Sequence, residues 1–577
     1  MPEFDTVIKG GTVIDGLRTP RFTGDVGIKD GNVAYIGRIS SHEGARVLDA
    51  SGLIVAPGFV DLHTHYDSQV YWDPWCTISG WHGVTSAVIG NCGFGFAPVK
   101  PEDRDRAMLT MTRNEAVPLA SMKAGMPWDW ESYPEFLDSI DRTPKGINLL
   151  SYVGLNPLLM YVMGLEEAKN RPATDAERAE MCKLLEEAIE AGGCGLSTQL
   201  AGEDSNQRDY DGTPMATDTM SEDDLVALAS VLGKVRKGFI QVSGARATSE
   251  LVNRLAEASG RPIVYNALAA LTDQHGVALP GYKETKAWIE DANKRGNRVF
   301  AQAITTAIAF EFQLEEWSLF DNVPSWREAL FGTREEKIDN LNDPERRALF
   351  RAEYDAGKGP VTGAGTEDKG IISGSGIAEL RVEIVEEPSL QQYEGFTIRE
   401  IAEREGKHIV DAFLDIGVAD KLRSTFGSPP ARMDMKAMKE IANSPFALPG
   451  LSDGGAHTKF ITMGAYPTEY IEVLVRENEL MDLEEAHWRL STYPAMAAGF
   501  KDRGWIKEGS PADIIVYDFE KLRRTETRRA YDFPANEWRL VREAEGYRWI
   551  MVNGKTTFED GKCTGLTPGK LIRHGQG

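Results

Sequence analysis

The chain has 577 residues, 42% of them hydrophobic and 26% charged, with a formal net charge of -24 at pH 7. That length and apolar content bury a large core in one big domain beside a smaller one, and the acidic excess argues against nucleic-acid binding, which wants a basic face. No apolar run has the length of a membrane span, the start Met1-Pro2-Glu3-Phe4-Asp5 lacks a secretory leader's basic-then-apolar pattern, and the cysteines (Cys76, Cys92, Cys182, Cys194, Cys563) lack a disulfide framework's spacing, so a cytoplasmic protein with reduced thiols is expected.

From about Thr6 to Val55, short strands such as Val26-Gly27-Ile28 and Val33-Ala34-Tyr35-Ile36 alternate with turns at Gly10-Gly11, Asp30-Gly31 and Gly37, which predicts a small β unit. The apolar run Gly52 to Val60 then reads as a buried strand leading into Val60-Asp61-Leu62-His63-Thr64-His65. Because side chains alternate along a strand, His63 and His65 point the same way and can grip one metal ion, unless they are two ordinary strand histidines. After the turn at His82-Gly83, the strand Thr85 to Ile89 runs into Gly90-Asn91-Cys92-Gly93-Phe94-Gly95. Cys92 reads either as a thiolate ligand approached through flexible glycines or as a small packed residue.

Farther along, strand and helix signals alternate as a parallel sheet demands. Strands are predicted at Asn148 to Val153, Phe239 to Val242, Ile263 to Tyr265 and Val299 to Gln302. Helices are predicted from Asp175 to Ala191, after a Ser221 N-cap with Leu225, Leu228, Ala229 and Leu232 inward, and near Lys286 to Lys294. His275 reads as a loop residue, a replacement ligand or a substrate contact. The polar stretch 315–370, with Trp317 and Trp326, breaks the rhythm and reads as a lid insertion or as a solvated helical excursion. Asp453, in Pro449-Gly450-Leu451-Ser452-Asp453-Gly454-Gly455-Ala456-His457, sits where a barrel's last strand would end; alone, an Asp before two glycines is a turn former. Strands at Asp513 to Asp518 and Trp549 to Lys555 close the chain.

Several of these segments, in this order, resemble the amidohydrolase superfamily and, within it, the D-aminoacylase or N-acyl-D-amino-acid deacylase branch. The likeness is carried by Gly10-Gly11-Thr12-Val13-Ile14-Asp15-Gly16, Pro57 to His65, His82-Gly83-Val84-Thr85, Gly90 to Phe94 with Ala97-Pro98, Gly195-Leu196-Ser197-Thr198, Arg503 to Asp513 and Val552-Asn553-Gly554. It implies an α/β fold: a TIM-like (β/α)8 barrel over 58–504 and a small β-sandwich domain built from both termini, 1–57 plus 505–577. It also implies a divalent metal, zinc at about one per chain, near His63, His65, Cys92 and Asp453, with Asp453 as general base and then acid in amide hydrolysis.

The branch pattern breaks in two places. Members carry further histidine ligands in segments that here read Phe239-Ile240-Gln241-Val242-Ser243 and Pro262-Ile263-Val264-Tyr265-Asn266, without histidine. The basic clamp on the substrate carboxylate is reduced to Ala456-His457-Thr458-Lys459, where His457 and Lys459 are the candidate substrate contacts, and a lysine lacks an arginine's bidentate fork. The expectation is a single-metal hydrolase of an N-acylated amino acid or related small amide. A ring-opening hydrolase of cyclic amides and an inactive barrel scaffold are the alternatives, and a homo-oligomer is left open.

Overall fold

The computed structural model describes all residues except 1, 203, 204, 206, 273–280, 316–319, 322, 367, 368, 431, 461, 462, 576 and 577. Strands from both chain ends share one nine-stranded hydrogen-bonded sheet. Its order is Lys562–Cys563, Lys555–Glu559, Tyr547–Val552, Ile514–Tyr517, Ile54–Pro57, Phe4–Val13, Phe22–Lys29 and Asn32–Gly37, with Gly44–Asp49 also pairing with Phe4–Val13. The two ends meet where Ile515 lies antiparallel to Ala56. Ile8, Val26, Ile28, Val55, Ile514, Val516 and Met551 form one apolar cluster from both halves. Each such fully buried side chain stabilises the sheet by about 1.5–3 kcal/mol.

Two parallel sheets lie between those ends. One pairs Phe59–Asp61, Val84–Ile89 and Asn148–Ser151; the other runs Val153–Gly154, Gly195–Gln199, Phe239–Ser243, Ile263–Leu268, Val299–Ile304 and Ala447–Gly450. Val84–Ile89 and Phe239–Ser243 are buried at every residue, as strands covered on both faces must be. The sheets adjoin at Ser151 and Val153, and at the opposite edge Thr64 bridges Gly454 in parallel, with the His65 N–H donating to the Gly454 carbonyl at 2.6 Å.

The helices between the strands form where the apolar spacing placed them. Asp175–Glu190 opens on a capping box between Thr174 and Glu177, which satisfies two N-terminal amides, and buries Met181, Leu185, Ala188 and Ile189. Glu222–Val235 buries Leu225, Leu228, Ala229 and Leu232 as predicted, but Ser221 makes no side-chain capping bond. Its Asp224 is buried and accepts a bond from Arg178 at 2.5 Å, which ties this helix to Asp175–Glu190.

The stretch 315–370 contains the helices Pro324–Ala329, Arg334–Asn342 and Pro344–Asp355. Trp326 and Phe350 are fully buried in a second apolar core with Phe312, Phe413 and Phe426, while Trp317 lies outside the described residues. This core also takes in Ala116, Leu451 and Phe460, so it supports the loops that follow Glu115 and Gly450. Among the described residues no helix is long and apolar enough to cross a membrane.

Candidate metal centre

His63 and His65 follow the strand Phe59–Asp61, and both are about 1% exposed, their rings 5.5 Å apart. The bridge at Thr64 pins the residue between them. The His63 N–H donates to Asp61 Oδ1 at 3.0 Å, and Ser452 Oγ donates to the His63 carbonyl at 2.9 Å. Backbone and neighbours together hold the imidazoles before any ligand arrives.

Cys92 reaches the same point from the next strand. It sits in the left-handed region at φ 55°, ψ 21°, between Gly90 at φ 78° and Gly93 at φ 72°. Such a conformation in a non-glycine residue costs roughly 1–2 kcal/mol, and the surrounding bonds hold it. Asn91 Nδ2 donates to the carbonyls of Thr64 and Val88, and the Gly90 N–H donates to buried Asp67. The ligand-capable atoms of His63, His65 and Cys92 all lie within 4.8 Å of one another, with Cys92 Sγ 3.3 Å from His63 Nε2.

Asp453 enters from the loop after Ala447–Gly450, also left-handed at φ 49°. Its Oδ1 lies 3.2 Å from His63 Nε2 and 3.7 Å from His65 Nε2, and its Oδ2 lies 3.8 Å from His457 Nε2. His457 Nε2 in turn lies 3.4 Å from an oxygen of Glu115, a buried carboxylate at the end of the helix Arg104–Glu115. Glu115 was not singled out by sequence. Lys459, expected at the substrate, places its ammonium 2.9 Å from Glu537 and 5.0 Å from the Trp538 ring, with its side chain 2% exposed. His275 lies outside the described residues.

The charges of this cluster are mutually dependent. Burial would raise the Asp453 carboxyl, but the His63 and His65 imidazoles hold it well below the usual carboxylate range. Against the same burial, His63 and His65 pull the Cys92 thiol down to about 6, while Cys92 and Asp453 push His63 up to about 10. Burial lowers His457 to about 4, keeping it neutral at pH 7, and raises Glu115 to about 8. The Cys92 thiolate and the Asp453 carboxylate, crowded against His63 and His65, call for a compensating cation, which protons on the histidines or a metal ion supply. The N, S and O donor set is one that zinc accepts, so the residues fit a metal.

The strands read as missing two histidines direct Gln241 and Asn266 toward this cluster. The Cys92 N–H donates to Gln241 Oε1 at 2.9 Å, and Asn266 Nδ2 donates to Gln302 Oε1 at 2.5 Å. The absence of histidine was legible; the amide cluster in its place was not, because a lone Gln or Asn in a buried strand carries no spacing signal.

The model of the amidohydrolase family matches residues 46–558, most of the chain. The chain belongs to the amidohydrolase family. It is a hydrolase of carbon–nitrogen bonds other than peptide bonds, in the D-aminoacylase branch. An uncharacterised protein of Mycobacterium tuberculosis is 28% identical over 89% of this chain and 84% of its own length. The N-acyl-D-glutamate deacylase of Alcaligenes xylosoxydans xylosoxydans is 26% identical over 99% of this chain and 97% of its own. Among solved structures, N-acyl-D-glutamate deacylase from Bordetella bronchiseptica, complexed with zinc and a phosphonate mimic of the tetrahedral intermediate, superposes with TM-score 0.65 at 24% identity. That match covers 99% of this chain and 100% of the other. The ring-opening and scaffold alternatives are not favoured.

Proposed function

We propose that this amidohydrolase is a single-metal deacylase of N-acylated amino acids or closely related small amides. The observation that carries the reading is the convergence of His63, His65 and Cys92 within 4.8 Å, with Asp453 Oδ1 3.2 Å from His63. His63, His65 and Cys92 would hold one divalent ion, zinc by the softness of the thiolate, with Asp453 as the adjoining oxygen ligand. When bound, the ion polarises the amide carbonyl and acidifies a water.

The remaining steps belong to the chain's own groups. Asp453 takes the proton of the attacking water and returns it to the amine nitrogen as the C–N bond breaks, a role for which a carboxylate held ionised is suited. Neutral His457 turns its Nε2 toward the carboxyls of both Asp453 and Glu115. We assign Lys459 to holding Glu537 and the Trp538 segment at the mouth, not to a direct grip on a substrate carboxylate.

The same reading extends to the architecture. The Thr64–Gly454 bridge and the junction at Ser151 and Val153 support closure of the two parallel sheets into a (β/α)8 barrel spanning 58–504. The β domain is then 1–57 plus 505–577, and the stretch 315–370 is a lid whose core packs under the site loops. Turnover of a panel of N-acyl-D- and N-acyl-L-amino acids, aryl amides and cyclic amides by zinc-loaded protein tests the function. Hydrolysis confined to N-acyl amino acids is expected, and exclusive ring opening contradicts it.

A further inference from the structure

We infer that Gln241, Asn266 and Gln302 form a one-way amide relay that fixes the His63 proton on Nδ1 and turns the Nε2 lone pair toward Cys92 and Asp453, making Gln302 a positioning residue for the metal. The inference rests on the single-metal reading above and adds what orients one of its ligands.

The relay begins at a group whose direction cannot change. The Cys92 backbone N–H only donates, so the Gln241 atom facing it at 2.9 Å is the carbonyl oxygen. Gln241 Nε2 then faces Asn266 at 2.8 Å, which must present Oδ1. Asn266 is left with its Nδ2 toward Gln302 at 2.5 Å, which must present Oε1. That oxygen lies 3.1 Å from His63 Nδ1, and two acceptors cannot share this contact, so Nδ1 carries the hydrogen. Gln241 and Gln302 are fully buried and Asn266 is 5% exposed, so bulk water does not offer substitute partners.

Two further features set Gln302 apart. Among the described residues its Nε2 has no hydrogen-bond partner, so both N–H groups of the amide are unsatisfied while its oxygen serves two donors. Gly450 makes room for that amide: a Cβ there would meet Gln302 Nε2 at 2.8 Å, and the residue is at φ +155°. Among the described residues His65 has no such orienting partner on its Nδ1, so the relay acts on His63. A metal-ligating imidazole is usually oriented by a hydrogen bond from its other nitrogen, and here an amide stands at the end of a relay that starts from the third ligand's own backbone.

The test compares wild type, Gln302→Met and Gln302→Glu by zinc competition titration and by long-range proton–nitrogen spectra of zinc-loaded protein labelled in histidine. The relay predicts a His63 Nδ1–H resonance in wild type. It predicts that Gln302→Met loses this resonance and weakens zinc by about 10–100-fold. Gln302→Glu, which keeps an acceptor for both donors, retains the resonance and binds zinc at least as tightly as wild type to within about threefold. Zinc bound with His63 protonated on Nε2 in wild type overturns the relay even if no variant folds. So does folded Gln302→Met with wild-type affinity. Wild type that binds no zinc defeats the metal centre and the relay together.

Discussion

The Asp453 carboxylate lies 3.2 Å from His63 Nε2 and keeps its second oxygen toward His457. One carboxylate thus lies against both the His63 imidazole and the neutral His457 imidazole. Asp453→Asn keeps an oxygen for ligation and removes the proton acceptor. Turnover is expected to fall by about 10²–10⁴-fold with metal content unchanged. Steady-state kinetics and elemental analysis of the same preparation check this, and near-normal activity would remove Asp453 from proton transfer.

Cys92→Ser replaces a soft thiolate by a poor hydroxyl ligand at 3.3 Å from His63 Nε2. Cobalt-substituted wild type should show a thiolate-to-metal charge-transfer band that the variant lacks. Zinc affinity should fall by roughly tenfold or more, since the site loses its softest donor. An unchanged spectrum makes Cys92 a bystander.

Gly90→Ala tests the turn that delivers Cys92. Gly90 lies at φ +78°, and a Cβ there would approach the Tyr152 carbonyl oxygen to 2.9 Å. The left-handed conformation alone costs an L-residue about 1–2 kcal/mol. Chemical denaturation should show at least that loss of stability, with weaker metal binding as the Cys92 backbone shifts. A stability equal to wild type would show that this turn can relax freely.

Glu115 gives a pH dependence with a definite sign. Burial raises its carboxyl from 4.5 to about 8, with the Cys92 and Asp453 charges adding to the shift against the pull of His65. Across that interval folded metal-free protein holds a proton that the unfolded chain has released, so this contribution is present below 4.5 and is lost as pH rises to about 8. Glu115→Gln cannot ionise, so its melting temperature should decline less than that of wild type over the same interval. Parallel curves for the two proteins would place the Glu115 titration elsewhere.

Much of this arrangement was written in local pattern. The period of two put His63 and His65 on one side, and glycines around Cys92 marked a close turn. The apolar spacing of Met181, Leu185, Ala188 and Ile189 gave the helix Asp175–Glu190 its buried face. What stayed hidden depends on contacts between distant segments. Glu115 ends a polar helix whose pattern gives no sign that its last carboxylate is buried, and only the fold brings it to His457. Lys459 looked available in sequence because Glu537, its partner, lies in another part of the chain. The Gln241, Asn266 and Gln302 cluster is legible only when three strands are side by side, because hydrogen-bond direction is a property of pairs.

Metal stoichiometry of wild type and of the double variant His63→Ala, His65→Ala, each purified without chelator and supplied with zinc, tests the central claim most directly. The structure predicts about one zinc per wild-type chain, the ion that His63, His65, Cys92 and Asp453 would hold, and little or none in a variant that remains folded. Wild type that stays metal-free, or a double variant that keeps full occupancy, would contradict it.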